Sequence, residues 1–256
     1  ITDVDLVDEV WSERPSISHE PAFIYDEEYC GESRASKLAR LRSAMGDCQH
    51  HIITSLDDIV WLFNIRGNDV DCNPVVLSYA LINQDNAILY VQDNVVDVKT
   101  EAILKRDSII IRAYNDIYED VKKLTGKVLL DDQIVNYQIF NNLNCEIKTA
   151  PNPTQHFKAI KNETEIKATK NAHIKDGVAM TKFMYWLKNN VGKIELDEVT
   201  ISDKLAAFRK EQNEFFDLSF DTICGYKANA ALMHYKAEPG NCAKVTNEGM
   251  LLIDSG

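Results

Sequence analysis

The sequence predicts an α/β protein, a mixed sheet flanked by helices, followed by an α+β unit that has only begun. Three observations carry that prediction. Strand-like and helix-like segments alternate from "SRASKLARL" to "CEIKT", the mark of layered sheet and helix. Two prolines then break the pattern in "APNPTQH", which sets a boundary between a domain of residues 1–151 and one of residues 152–256. After the boundary, two helical stretches precede strand-like ones.

Residues 1–32 read as an irregular acidic arm with few periodic signals. In "SRASKLARLRSAMGD" the residues Leu38, Leu41 and Met45 share one helical face, and Gly46 stands where a helix stops. "HHIITS" is a short strand. "SLDDIVWLFNI" is a helix capped by Ser55, with Asp57 and Asp58 in the first turn, where the helix dipole favours carboxylates. "NPVVLSYALI" and "NAILYV" are two strands joined by the polar turn "NQDN". "YNDIYEDVKKLTGK" repeats the helix pattern through Ile117, Val121 and Leu124, with Gly126 as its stop. "KVLLD" is a strand, "QIVNYQIFNNL" a helix and "CEIKT" a strand. Past the boundary come a long helix from Asn162 to Asn190 and a second from Ser202 to Glu214. "DLSFDTICGYKANAALMHYKAE" and "GMLLIDSG" close the chain with strand-like segments, the latter read as a buried strand.

At 256 residues the chain is long enough for a real hydrophobic core. Its 40 acidic residues outweigh 28 basic ones, for a net charge of −12. That balance repels phosphate backbones and anionic lipid, so neither nucleic acid nor membrane is expected as a partner. No apolar run approaches the roughly 18 residues that span a bilayer. "ITDVDLVDEVW" lacks the basic start and apolar stretch of a signal peptide. The six cysteines are scattered, with no C-x-x-C pair, and read as free thiols of a reducing compartment. The expectation is a cytoplasmic protein, and the ends at Ile1 and Gly256 suggest a piece of something longer.

Two residues invite a chemical reading. Asp254, at the end of "MLLID", is by default a turn former beside Ser-Gly. Its sharper reading is a metal ligand, since a strand end holds a carboxylate rigidly and a turn leaves it accessible. His234 also follows an apolar run. It is either a satisfied structural histidine or a proton donor and oxyanion partner. His50, His51 and His173 lack acidic or cysteine partners at ligand spacing and read as structural. Cys224 and Cys242 lack a local base. There is no phosphate-binding glycine loop and no G-x-S-x-G elbow.

Several stretches together resemble a known family. "SLDDIVWLFNIRGNDVDCNPVVLSYALI" closely resembles the middle domain of Xaa-Pro aminopeptidases of the aminopeptidase P type, with their N-x-R-G-x-D-V-x-x-N-P-V run. "VDEVWSERP" and "KLARLRSAM" look like the connector into that domain. "AIKNETEIKATKNAHIKDGVAMTKFMYWL" is similar to the first helix of the family's catalytic domain, and "FDLSFDTI", "HY" and "LLIDSG" follow in the family's order.

The resemblance implies a creatinase N-terminal-like fold for residues 1–151 and an incomplete pita-bread fold for residues 152–256. It implies a metallopeptidase that removes the N-terminal residue from peptides with proline in second position, using two divalent ions, manganese by family habit. Of five implied metal ligands, the first maps onto Asp254 and the others onto positions beyond Gly256. His234 maps onto the histidine that binds substrate and stabilises the transition state. With a single ligand the segment alone is expected to be inactive, since a hard divalent ion needs several oxygen donors. Two positions depart from the family's run: Ala230 stands where glycine is common, and Lys227 adds a charge. A positive φ at position 230 would strain alanine.

Homodimers through the catalytic domain are also implied. An unfinished sheet should expose apolar surface and make the isolated chain poorly soluble. A reading from another class is a non-catalytic pita-bread module that binds peptides or histones, which the acidic charge would suit. Prolidase and creatinase activities fit less well, because "IRGNDVDCNP" looks more like aminopeptidase P.

Overall fold

The computed structural model describes residues 6–256; the opening "ITDVD" of the acidic arm lies outside the described residues. In chain order the first part runs α1 (Leu6–Val10), β1 (Phe23–Ile24), α2 (Glu27–Cys30), α3 (Arg34–Ala44), β2 (His50–Ile53), α4 (Leu56–Phe63), β3 (Ile65–Arg66), β4 (Ser78–Asn83), β5 (Ala87–Val91), α5 (Val98–Arg106), β6 (Ile109–Ala113), α6 (Ile117–Asp120), β7 (Lys127–Leu130), α7 (Tyr137–Asn142) and β8 (Glu146–Thr149). It continues with α8 (Pro153–Ala159), α9 (Glu163–Asn190), α10 (Glu198–Lys210), β9 (Ile223–Tyr226) and β10 (Leu251–Asp254). Two compact units result. One holds the residues up to Ile24, Arg34–Asp69 and Val75–Gln155; the other holds Tyr25–Ser33, Val70–Pro74 and His156–Gly256.

The first unit is built on a mixed six-stranded sheet in the order β6-β5-β4-β2-β7-β8. The β2–β4 and β4–β5 pairs are antiparallel, and the β2–β7, β5–β6 and β7–β8 pairs are parallel. Successive side chains point to opposite faces, so a strand apolar throughout must be covered on both. Here Ile52, Leu81, Tyr90 and Val128 share one face, packed with Ile117, Val121 and Ile139. Ile53, Ala80, Leu89 and Leu129, on the alternate positions, are equally buried. Helix α3 forms as its spacing predicts: Leu38, Leu41 and Met45 are 1%, 0% and 0% exposed.

Several local expectations are corrected. The arm is not wholly irregular, since it contains α1, β1 and α2, and β1 pairs with β3. Ser55 precedes α4 but makes no side-chain cap. Its hydroxyl instead donates to Asp58 Oδ2, the oxygen that also accepts from Asn152 Nδ2. The helix expected at 114–124 breaks into 3-10 turns on either side of α6. Its spacing still buries Ile117 and Val121, because the side-chain pattern selects the core-facing residues without fixing which backbone hydrogen bonds form. Helix α10 begins at Glu198, four residues before Ser202, because the Asp197 side chain caps it by accepting from Thr200 N at 2.7 Å. Helix α5 and strand β6 have no counterpart in the sequence reading.

The stretch from Ser55 to Ile82 acts as a set of staples. Asp69 Oδ1 accepts from Ser18 Oγ and Glu20 N, while its Oδ2 accepts from Leu77 N. Asn64 closes α4 in the left-handed region at φ 48°. The buried Lys37 Nζ donates to Asn64 Oδ1 at 2.6 Å and to Trp61 O at 3.0 Å, over the Trp61 ring.

In the second unit α9 starts on a capping box: Asn162 Oδ1 accepts from Glu165 N, and Glu165 Oε2 accepts from Asn162 N. The core of this unit is Phe183, Leu196, Ile201, Leu205, Cys224, Tyr226 and Val245. Among the described residues no helix is long and apolar enough to cross a membrane.

Candidate functional site

Strand β10 pairs antiparallel with β9, with Leu251 opposite Tyr226 and Asp254 opposite Ile223. Leu251 and Ile253 pack on the second unit's core, whereas Leu252 and Asp254 point the other way and are exposed. The strand expected to be buried is therefore half-buried, and on one face only, and Met250 is 75% exposed. The reason is geometric: β9 and β10 form a two-stranded ribbon in which alternate residues point to opposite faces, so only Leu251 and Ile253 of β10 reach the core.

The exit of β10 is pinned on both sides of the chain. Arg209, in the last turn of α10, donates from Nε to Asp176 Oδ1 on α9 at 2.7 Å and from Nη2 to Ser255 Oγ at 3.1 Å. Ser219 N donates to Gly256 O at 2.9 Å. The carboxylate of Asp254 thus sits exposed at the end of a strand whose next residue is tied to two helices. A cleft of about 420 Å³ lined by Asp176, Arg209, Phe215, Ser219 and Gly256 opens here, and neither Asp254 nor His234 lines it.

His234 is not at a strand end. After β9 the chain makes a 3-10 turn over Lys227–Ala231, and His234 follows as an exposed residue in the left-handed region at φ 55°. The preceding apolar residues are not strand core either: Leu232 is 57% and Met233 90% exposed. Positive φ falls at Lys227 and His234, not at Ala230, so the expected alanine strain is absent. Asparagine, aspartate and histidine are the non-glycine residues most tolerant of that region.

The turn folds back onto β9 so closely that a Cβ on Gly225 would lie 2.9 Å from Ala230 Cα and 3.0 Å from Ala230 N. Gly225→Ala is therefore expected to push the 227–231 turn off the strand. The cost should be about 1–3 kcal/mol, the usual penalty of overpacking against backbone. A urea titration following the second unit checks it, and an unchanged midpoint would mean that the turn moves freely.

The residue missed by the sequence reading is Glu198. Its side chain is 0% exposed. Oε1 accepts from Tyr226 N at 2.6 Å and Asn229 Nδ2 at 3.1 Å; Oε2 accepts from Tyr235 Oη at 2.6 Å, Ala243 N at 2.7 Å and Asn229 Nδ2 at 3.1 Å. Burial pushes this carboxyl up, but the hydrogen bonds from Tyr235, Ala243, Tyr226 and Asn229 outweigh it and hold it below the ordinary glutamate range. Burial and the Glu198 charge push the Tyr235 hydroxyl up to about 12, which keeps it a donor. The available sequence signal was "LDEVT", in which Asp197 caps and so places Glu198 in the first helical turn.

His51 and Cys224 hold buried positions, whereas His173 is exposed and lines the cleft described above. His51 is buried with Nδ1 2.9 Å from Leu129 O and Nε2 3.0 Å from Asn152 Oδ1, and burial pulls its pKa down. All six cysteines are free, and burial beside Glu198 pushes the Cys224 thiol up to about 12, far from a nucleophile's range. Among the described residues no three His, Cys, Asp or Glu side chains form a group that could hold a metal ion. Asp254 is a rigid, accessible oxygen donor suited to a hard cation, but the described residues do not complete a centre around it.

Residues 13–165 match the model of the creatinase/prolidase N-terminal domain, and residues 167–256 that of metallopeptidase family M24. The chain is 36% identical to a probable Xaa-Pro aminopeptidase P of Neurospora crassa, over 98% of this chain and 40% of that one. It is 30% identical to an X-prolyl aminopeptidase from Caenorhabditis elegans, described as a cytosolic enzyme with a di-nuclear active site. That likeness has a TM-score of 0.91 and covers 99% of this chain and 43% of that one. An Xaa-Pro dipeptidase from Bacillus anthracis shares the fold at 20% identity and a TM-score of 0.62, over 88% of this chain and 61% of its own. The chain thus spans less than half the length of the curated relatives it matches, 40% of the first and 43% of the second. With its first 13–165 stretch in the N-terminal domain model and the rest in the M24 model, the chain belongs to the creatinase/prolidase family of metallopeptidases.

Proposed function

We propose that this chain carries the middle domain (residues 1–151) and the front of the pita-bread domain (residues 152–256) of a cytoplasmic, metal-dependent Xaa-Pro aminopeptidase. The enzyme releases the N-terminal residue of peptides with proline in second position. The observation that carries this reading is the β9–β10 ribbon, which bears Asp254 at the end of β10 and leads from β9 through a 3-10 turn into the segment of His234. Asp254 serves as the first ligand to a pair of divalent ions, manganese in our reading, with the remaining donors assigned to chain beyond Gly256. When bound, such a pair would lower the pKa of a bound water and so supply the hydroxide nucleophile for the scissile carbonyl. His234, exposed beyond the 3-10 turn, donates to the carbonyl oxygen as negative charge develops there. The net charge of −12 favours neither nucleic acid nor anionic membrane as a partner.

The test compares this 256-residue chain with the chain extended through the rest of its M24 domain, each with Mn2+ and a short Xaa-Pro peptide. The extended protein should release the first residue, require proline in second position and stop on chelation, and the shorter chain should not turn over. Equal cleavage of peptides without proline would sink the specificity. Peptide binding without metal-dependent turnover in the extended protein would replace the enzyme with a binding module.

A further inference from the structure

The register of the ribbon creates a positioning problem. Asp254 stands opposite Ile223, but the segment bearing His234 leaves β9 at Tyr226, three residues away. That is about 10 Å along the strands. Where the imidazole sits therefore depends on the path of residues 227–243, which form no strand. They contain the 3-10 turn and one bridge, Glu238 to Asn241. Leu232 and Met233 are exposed, so apolar burial does not hold the turn around His234.

One buried carboxylate does hold it. Glu198 receives hydrogen bonds from Tyr226 and Asn229 before His234, from Tyr235 directly after it, and from Ala243 at the segment's end. Asn229 Nδ2 also reaches Tyr235 Oη at 3.0 Å, which closes a ring of contacts across the base of the His234 turn. Every group facing the two oxygens is a donor, so a neutral amide could not replace the carboxylate without losing at least one of these bonds. The first turn of α10 that carries Glu198 is itself fixed by the Asp197 cap. The chain of placement runs from Asp197 to Glu198 to the turn to His234.

We propose that Glu198 is the positioning residue of His234, setting the imidazole's place relative to β10 by gripping both flanks of its turn. The proposal rests on the role given to His234 above, and part of its test is independent of turnover. In the histidine-labelled chain, Glu198→Gln should shift the ring signals of His234 and speed amide exchange at Tyr226 and Ala243 at least tenfold. Protection along α9 and α10 should be unchanged. Tyr235→Phe, which removes one donor and keeps the ring, should produce a smaller change in the same signals. Faster exchange at Tyr226 and Ala243 with His234 signals unmoved would make Glu198 merely structural and overturn the proposal. If Glu198→Gln unfolds the unit, Tyr235→Phe decides alone, and unmoved His234 signals there overturn it as well.

In the extended enzyme, Glu198→Gln should lower kcat/KM about 10- to 100-fold without changing Mn2+ binding, and the loss should vanish in a His234→Gln background. A loss that persists in that background overturns the proposal. Absence of turnover in the unsubstituted enzyme defeats the functional reading while leaving the spectroscopic outcome to judge Glu198.

Discussion

Asp254→Ala is expected to abolish metal-dependent turnover in the extended enzyme, by about 10³-fold or more. A bound divalent ion contributes several kcal/mol to the transition state, and each 1.36 kcal/mol is a factor of ten. The fold should not notice. Asp254 is exposed, makes its ribbon contacts through backbone, and closes the register opposite Ile223 whatever its side chain. Exposed substitutions away from special features usually stay within about 0.5 kcal/mol. The measurement is therefore a pair: calorimetric titration with Mn2+, which should lose binding, and a thermal melt, which should not move. Full activity in the variant would remove Asp254 from the site. Coincident loss of melt and metal binding would instead mark it as structural.

How the carboxylate is held explains why one strand end suffices to present it. Ser255 and Gly256 are anchored through Arg209 and Ser219, and Arg209 is anchored in turn by Asp176. The sequence already contains Asp176 in the "AHIKDG" stretch, but nothing local connects it to a strand almost 80 residues later. The same limit applies to Glu198, which grips residues 28 to 45 positions away in the chain. Periodicity reads which residues turn toward a core, and it reads caps; it is silent on a carboxylate that collects donors from several loops.

Elements were legible in proportion to how much apolar surface they bury in a regular pattern. Helix α3 and strands β2, β4, β5 and β7 show their cores plainly, and α9 shows its Asn162 cap. Helix α5 buries only Thr100 and Leu104, so its stripe is thin, and β6 is an edge strand whose pattern has one buried residue. The apolar run before His234 misled for the converse reason: Leu232 and Met233 look like core but follow the 3-10 turn outside any strand and are exposed. The resemblance to aminopeptidase P carried what pattern could not, the joint reading of Asp254 and His234.

Phe183→Ala should destabilise the second unit by about 3–5 kcal/mol, the range for truncating a buried phenylalanine. Helix α9 is 28 residues long, yet Ala179 and Phe183 are the buried residues that fasten it. Met180, Trp186 and Leu187 pack against the same cluster only partly buried, and Ile174, Met184 and Tyr185 face outward at 67%, 50% and 74% exposed. Phe183 is 1% exposed and belongs to the same core cluster as Leu205 of α10 and Cys224 of β9, against which Leu251 and Ile253 of β10 pack. A loss of that size is a large share of the about 5–15 kcal/mol that holds an ordinary domain folded. Trp186, whose ring lies 6.2 Å from that of Phe183, gives a local fluorescence signal for a urea titration. Tyr185→Ala, two residues on and exposed on another face of α9, should change stability by no more than about 0.5 kcal/mol. A Phe183→Ala cost below about 1 kcal/mol would show that α9 is held elsewhere. Because the ribbon leans on the same cluster, the cavity should also loosen β10, and Mn2+ binding through Asp254 should weaken in the extended enzyme although Phe183 touches no ligand.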